Sequence, residues 1–157
     1  MEGETDAVVG GTPSSGSTFV ETNHPAASGE ANLGYLGTAG NTVTFTFTAS
    51  AAGTAKIVLT MSSNNSNSSW TIDDQVLTNA QLTLTFNGTA VDYGTKTVPG
   101  GSTWNAVYTA VEMATVNVKS GTNTLVITVV EGGTTMPNID CLDIVPVAFT
   151  GTLAKAA

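Results

Sequence analysis

Two groups of carboxylates have a spacing that could do chemistry. In the stretch Asn138-Ile139-Asp140-Cys141-Leu142-Asp143-Ile144, Asp140 falls in phase with Leu142 and Ile144. A strand drawn through it therefore turns an acid toward the face that its neighbours give to the core. At the other end of the chain Glu2, Glu4 and Asp6 share one parity with Val8. A buried carboxylate has to be paired, protonated or bound to a metal, because a lone buried charge is strongly unfavourable. Four lysines and no arginine stand against 12 acids, so pairing alone is a poor solution. If the terminal strands lie side by side, Glu2, Glu4 and Asp140 meet at one end of the domain. Three carboxylates with loop carbonyls form the hard, all-oxygen set that Ca²⁺ prefers. The competing reading is a frayed, solvated terminus, and no contiguous calcium-loop motif is present.

No catalytic set assembles. The only histidine, His24, sits in the turn-like Asn23-His24-Pro25, and the only cysteine, Cys141, lies within a strand-like run. Twelve acids leave room by count for a glycosidase-type pair, but Asp73 and Asp74 are adjacent, and adjacent side chains on an extended chain point apart. The chain is therefore read as a non-enzyme. Trp70 and Trp104 both stand in polar surroundings, Ser-Ser-Trp-Thr and Gly-Gly-Ser-Thr-Trp-Asn-Ala. A tryptophan among small polar residues favours a ligand cleft over a core position.

The elements that must hold these residues are strands. Val43, Phe45 and Phe47 alternate with threonines, Leu82, Leu84 and Phe86 alternate with polar residues, and Ile57, Leu59 and Met61 repeat the pattern. Further runs cover 111–118, 123–130 and 138–145. Within Val111, Met113, Val116 and Val118 the parity slips by one, which indicates a bulge or a break between two short strands. Turn residues punctuate the runs at Asn87-Gly88, Pro99-Gly100-Gly101 and Ser120-Gly121. No stretch has helical period, so the fold class is all-β, a β-sandwich or jelly roll. Residues 10–17 and 62–75 are read as loops, 1–148 as a single domain, and 149–157 as a tail or linker.

Composition narrows function further. A formal charge of -8 and a pI near 4.1 repel a phosphate backbone, which excludes nucleic acid as a partner. No run of about 20 apolar residues or signal peptide is present, so no membrane partner is expected. A Met placed directly before strand-like sequence suggests a piece of a larger protein.

In order along the chain, the motifs resemble the β-sandwich carbohydrate-binding modules of families 6 and 35. Glu2-Gly3-Glu4 resembles the opening Glu-x-Glu strand, Leu33-Gly34-Tyr35-Leu36-Gly37 a glycine-rich element in which Tyr35 is read as a strand residue, and 41–47 the strand that follows it. The Trp-containing stretch 102–125, ending in Gly-Thr-Asn-Thr-Leu, and the closing Asn138-Ile139-Asp140 complete the pattern. The resemblance implies a non-catalytic module of a secreted bacterial, multi-modular glycan-degrading enzyme or scaffold, itself monomeric. It also implies a structural Ca²⁺ held by Glu2, Glu4 and Asp140 with Ser28 or nearby carbonyls. The glycan cleft would be formed by Tyr35, by Trp104 or Tyr108, and by Asn138, with Trp70 able to extend it. The sequence departs from the pattern at Cys141, where an aromatic is common, and in the long 62–75 loop. The missing arginine argues against a uronic acid and for a neutral ligand, a plant cell-wall or related polysaccharide. The rival reading is a structural or adhesive sandwich of a bacterial surface protein without glycan binding.

Overall fold

The alternating runs become strands whose hydrophobic members point into one core. The structure, a computed structural model, describes residues 1–157 apart from 16–17, 68, 70, 133–135, 157 and the side chain of Glu4. In chain order the strands are β1 (Ala7–Gly10), β2 (Val20–Thr22), β3 (Ala31–Leu33), β4 (Thr42–Ala49), β5 (Gly53–Ser62), β6 (Asn65–Ser66), β7 (Ile72–Asp73) and β8 (Gln75–Thr78). They continue with β9 (Leu82–Phe86), β10 (Thr89–Val91), β11 (Thr95–Val98), β12 (Thr109–Val118), β13 (Gly121–Val129), β14 (Asn138–Ala148) and β15 (Leu153–Lys155). A helical turn α1 (Gly3–Asp6) precedes β1, and a 3-10 turn covers Ser28–Glu30.

Two antiparallel sheets pack face to face. One runs β1-β4-β13-β9-β10, with β15 also on β4, and the other runs β12-β5-β14-β3-β2. Phe45, Phe47, Leu84, Leu125 and Ile127 from the first sheet meet Ile57, Leu59, Met61, Met113 and Leu142 from the second in one cluster. Each large apolar side chain buried this way contributes roughly 1.5–3 kcal/mol. The expected all-β sandwich is therefore the observed architecture. Asn87 and Gly88, at φ 50° and 80°, form the two-residue turn that joins β9 to β10, the left-handed pair that Asn-Gly adopts at least cost.

The parity slip in 111–118 is a bulge inside a continuous strand, since the register of β12 on β5 shifts between Glu112 and Ala114. Three expectations are corrected. Within 62–75, read as a loop, β6 and β7 pair, and Ile72 bridges to Gly101. Strands of two residues are too short to show a period, and this hairpin is held by polar bonds such as Ser63 Oγ to the Asp73 carbonyl at 2.7 Å. Residues 153–155, read as part of a tail, pair with β4 beyond the end of β1, with Leu153 opposite Ala49. The edge of β4 that β1 leaves open supplies the backbone partners, and Lys155 ion-pairs with Asp6. Tyr35, read as a strand residue, lies just after β3 in a left-handed conformation, φ 57°.

Candidate functional site

The chain begins alongside β14. The Met1 amino group donates to the Leu142 carbonyl at 2.8 Å, the Leu142 N–H returns a bond of 2.8 Å to Met1, and Glu2 bridges Cys141. The chain then turns into α1, where the Asp6 N–H donates to the Glu2 carbonyl at 2.9 Å and the Glu2 N–H to Asp6 Oδ2 at 3.0 Å. The shared parity of Glu2, Glu4, Asp6 and Val8 is therefore broken: Asp6 caps this turn and binds Lys155, and Val8 is exposed. The Lys155 ammonium holds the Asp6 carboxyl below its ordinary value. The carboxylate of Glu4 lies outside the described side chains. Gly3 packs directly on β14, where a Cβ would sit 3.0 Å from the Asp140 carbonyl.

Asp140 does not lie on the core face in phase with Leu142. The register of β14 on β5 shifts between Ile139 and Cys141, so Asp140 is the extra residue of a bulge, and Ile139 and Leu142 both reach the core. The bulge aims the carboxylate at Ser28, which presents its N–H at 3.1 Å and its hydroxyl at 2.8 Å to Asp140 Oδ1. The same hydroxyl lies 2.5 Å from Glu2 Oε2. A serine hydroxyl carries one proton and cannot donate to two carboxylates at once. Asp140 is only 4% exposed, and burial raises its pKa above the ordinary value; the Ser28 bonds oppose that rise, and the charges of Glu2 and Asp143 add to it. Glu2, Ser28 and Asp140 are thus brought together as a compact oxygen cluster. Among the described residues no group of three or more His, Cys, Asp and Glu side chains is placed for a metal; the described side chains gathered there give two carboxylates and one hydroxyl.

Tyr35 and Trp104 are brought together in a second place, a cleft of about 400 Å³ whose walls also include Thr18, Val20, Glu21 and His24. They come from the turn after β3 and the loop before β12. Trp104 is 44% exposed, and its ring meets His24 edge-on, with centroids 5.6 Å apart and planes at 78°. Left-handed non-glycine backbone gathers around this cleft, at Asn23 (φ 68°), Tyr35 (φ 57°) and Asn105 (φ 55°). Such conformations are unfavourable for L residues and persist where the surroundings enforce them, commonly at ligand sites. A Cβ at Gly34 would lie 2.0 Å from Glu21 Oε2, so a side chain there would displace the Glu21 carboxylate. A larger cavity, about 510 Å³, lies between the β9–β10 hairpin and β12, but its aromatics Phe86 and Tyr93 are both buried and offer no open ring face.

Under the cleft four polar side chains cluster. Asn138 Nδ2 donates to Glu21 Oε2 at 3.0 Å and to Asn105 Oδ1 at 2.9 Å. Asn105 Nδ2 lies 3.2 Å from His24 Nδ1 and 3.5 Å from Nε2, close to both ring nitrogens, and His24 Nε2 lies 3.9 Å from Glu21 Oε1, too far for a hydrogen bond. Asn138 is 1% exposed and forms part of the support beneath the cleft. Burial raises the Glu21 pKa, opposed by the Asn138 bond, and lowers that of His24. Tyr108 is not among the residues lining the cleft. Its hydroxyl accepts from Asn32 Nδ2 (a close contact), and burial, chiefly, pushes its pKa up to about 12. Asn32 Oδ1 is buried without a partner among the described residues. Trp70 lies outside the described residues. Sequence reasoning missed Glu21, His24 and Asn105; the signal available was an acid three residues before the only histidine, in a stretch ending at Pro25.

No family model and no curated protein matches the chain. Solved structures do. A family 35 carbohydrate binding module from Clostridium thermocellum superposes with a TM-score of 0.68 at 21% identity, covering 92% of this chain and 96% of that one. The CBM35 of Cellvibrio japonicus Abf62 also gives 0.68, at 17% identity, covering 99% and 97%. The Podospora anserina GH26-CBM35 β-(1,4)-mannanase gives 0.59 at 14% identity, covering 91% of this chain and 28% of the enzyme. The chain therefore has the β-sandwich fold of the family 35 carbohydrate-binding modules.

Proposed function

We propose that the protein is a non-catalytic carbohydrate-binding module that holds a neutral polysaccharide in the Trp104–Tyr35 cleft and delivers an attached glycan-degrading enzyme or scaffold to it. The observation that carries this reading is the pairing of a half-open Trp104 with Tyr35 in one cleft of 400 Å³, on a fold shared with sugar-binding modules. A pyranose offers an apolar face of C–H groups to an aromatic ring and a rim of hydroxyls to polar groups such as the Glu21 carboxylate. Among the described residues lining the cleft there is no lysine, which favours a neutral ligand over a uronic acid. The structural neighbours include modules joined to glycoside hydrolases, which supports an extracellular, multi-modular parent; the unit is proposed to act in it as a monomer. Trp104 rather than Tyr108 is proposed as the stacking platform, since Tyr108 is engaged with Asn32.

We also propose that Glu2, Ser28 and Asp140, with Glu4 and nearby carbonyls, hold a structural Ca²⁺. The donor set fits a hard cation: two carboxylates crowd one hydroxyl that can serve only one of them, with few positive charges in the chain to neutralise them. A bound cation would tie the N-terminal segment to the β14 bulge and the Ser28 turn. Retardation gels with a panel of soluble neutral and acidic polysaccharides, run for wild type and Trp104→Ala, test the glycan reading. Retention by neutral polymers that Trp104→Ala loses while staying folded is expected; no retention by any polymer favours the adhesive, non-binding alternative.

A further inference from the structure

The adjacent acids Asp73 and Asp74 have separate partners. Asp73 Oδ1 accepts from Asn67 Nδ2 at 2.8 Å within the β6–β7 hairpin, while Asp74 Oδ1 accepts the Gly100 N–H at 2.9 Å from another part of the chain. Gly100 lies at the start of the segment 99–108, between β11 and β12, which carries Trp104. Beside it the Ile72 N–H donates to the Gly101 carbonyl at 3.0 Å, and the Gly101 N–H returns a bond of 2.9 Å to Ile72. These bonds dock the start of the tryptophan loop on the hairpin. The approach is close: a Cβ on Gly100 would sit 2.6 Å from the Asp73 carbonyl carbon, so the hairpin backbone can lie against residue 100 only where no side chain intervenes. The hairpin is fastened in turn to the residues that follow β5. Ser63, 1% exposed, donates its hydroxyl to the Asp73 carbonyl at 2.7 Å, and Asn65 Nδ2 donates to the Asp74 carbonyl at 3.0 Å, so the backbone that carries the Asp74 carboxylate is held in place. Beyond Trp104 the loop is anchored separately, at buried Asn105, whose Oδ1 accepts from Asn138 at 2.9 Å. Trp104 stands between these two anchors.

We infer that Asp74 is a positioning residue for the sugar-stacking indole: through Gly100 it locks the loop 99–108 in the arrangement that sets Trp104 in one cleft with Tyr35. The inference rests on the glycan-binding reading above and adds to it a residue outside the cleft on which the platform depends. The physical reason is conformational entropy. Trp104 is 44% exposed, so its ring has few buried contacts to hold it, and a loop pinned at one end only samples arrangements in which the ring leaves the cleft wall. Sugar binding has to recover the competent arrangement, and the apparent affinity falls in proportion to the fraction of molecules that hold it. Asp74 is itself exposed and is not among the described residues lining the cleft, so its effect on binding passes through the loop.

A set of variants separates positioning from general stability. Asp74→Ala removes the acceptor of the Gly100 N–H, and Asp74→Asn keeps a carbonyl oxygen in its place. Gly100→Ala pushes the hairpin off the loop, while the backbone at residue 100, outside the left-handed region, suits alanine. In isothermal titration of a retained neutral oligosaccharide, binding is expected to weaken about three- to tenfold for Asp74→Ala and at least as much for Gly100→Ala, and to stay within about twofold of wild type for Asp74→Asn. A second readout needs no sugar: in a Trp70→Phe background Trp104 is the only tryptophan, and acrylamide quenching and emission anisotropy report how firmly its ring is held. Asp74→Ala and Gly100→Ala should raise quenching and lower anisotropy while circular dichroism shows the domain folded, and Asp74→Asn should match the parent. A folded Asp74→Ala with unchanged Trp104 emission overturns the inference, as does changed emission without loss of affinity, or an Asp74→Asn that behaves as Asp74→Ala. If the wild type retains no polysaccharide while Trp104 emission responds as expected, the glycan-binding reading fails and the positioning of Trp104 by Asp74 stands.

Discussion

Asp140→Ala tests the bulge as the anchor of the cation site. The substitution removes the acceptor for the Ser28 N–H at 3.1 Å and for the Ser28 hydroxyl at 2.8 Å, at a position 4% exposed. Hydrogen bonds to a charged group contribute about 1.5–3 kcal/mol each, and removing a desolvated charge offsets part of that, so the net loss without cation is about 2–3 kcal/mol. For a domain of this size, about 2–4 °C of Tm accompanies each kcal/mol, which makes the drop about 4–12 °C. Calcium adds a separate increment. At a hundredfold excess over Kd a ligand that binds only the folded state stabilises it by about 2.7 kcal/mol, a further 5–11 °C that the variant should lack. Differential scanning calorimetry of both proteins in excess calcium and in EDTA gives four melting temperatures. The reasoning predicts a calcium-dependent rise for wild type and none for Asp140→Ala. A wild-type Tm unmoved by EDTA, with no calcium by elemental analysis, refutes the cation site; a variant that keeps the full calcium shift refutes Asp140 as its ligand.

Three further outcomes are expected. Trp104→Ala should lose most glycan affinity, itself about 1 µM to 1 mM, while its Tm moves little because the ring is half exposed, and calorimetric titration beside a melt checks both. Burial raises the Glu21 pKa, so between the ordinary value of 4.5 and the raised one the folded state binds more protons than the unfolded state; stability should fall as pH rises through that window, and Glu21→Gln should flatten that slope in melts recorded with excess calcium. Truncation after residue 150 removes β15 and frees both the β4 edge and Asp6, and should lower the Tm measurably by calorimetry; an unchanged Tm would show that 153–155 is the loose tail the sequence suggests.

The fold was legible because it rests on local periodicity. Alternation in 43–47, 57–61 and 82–86 requires half-buried strands whatever their partners, and Asn87-Gly88 demands a tight turn for its left-handed backbone alone. The oddity of Asp140 was also legible, as an acid among residues of the core. Its resolution was not, because a bulge is a mismatch between two strands: only the pairing of β14 with β5 shows that one residue is extra and turns toward Ser28, far away in sequence. The same holds for β15, whose partner is the free half of an edge that exists only once β1 has stopped short. Trp104 could be picked out by its chemistry, since a large ring among small polar residues stands out in any context, whereas Tyr35 followed only from the resemblance of its glycine-rich element. Glu21, His24 and Asn105 could not, because each is unremarkable alone, and they join Asn138 only in a cluster that three separate segments of chain form once tertiary packing brings them within 2.9 to 3.9 Å of one another.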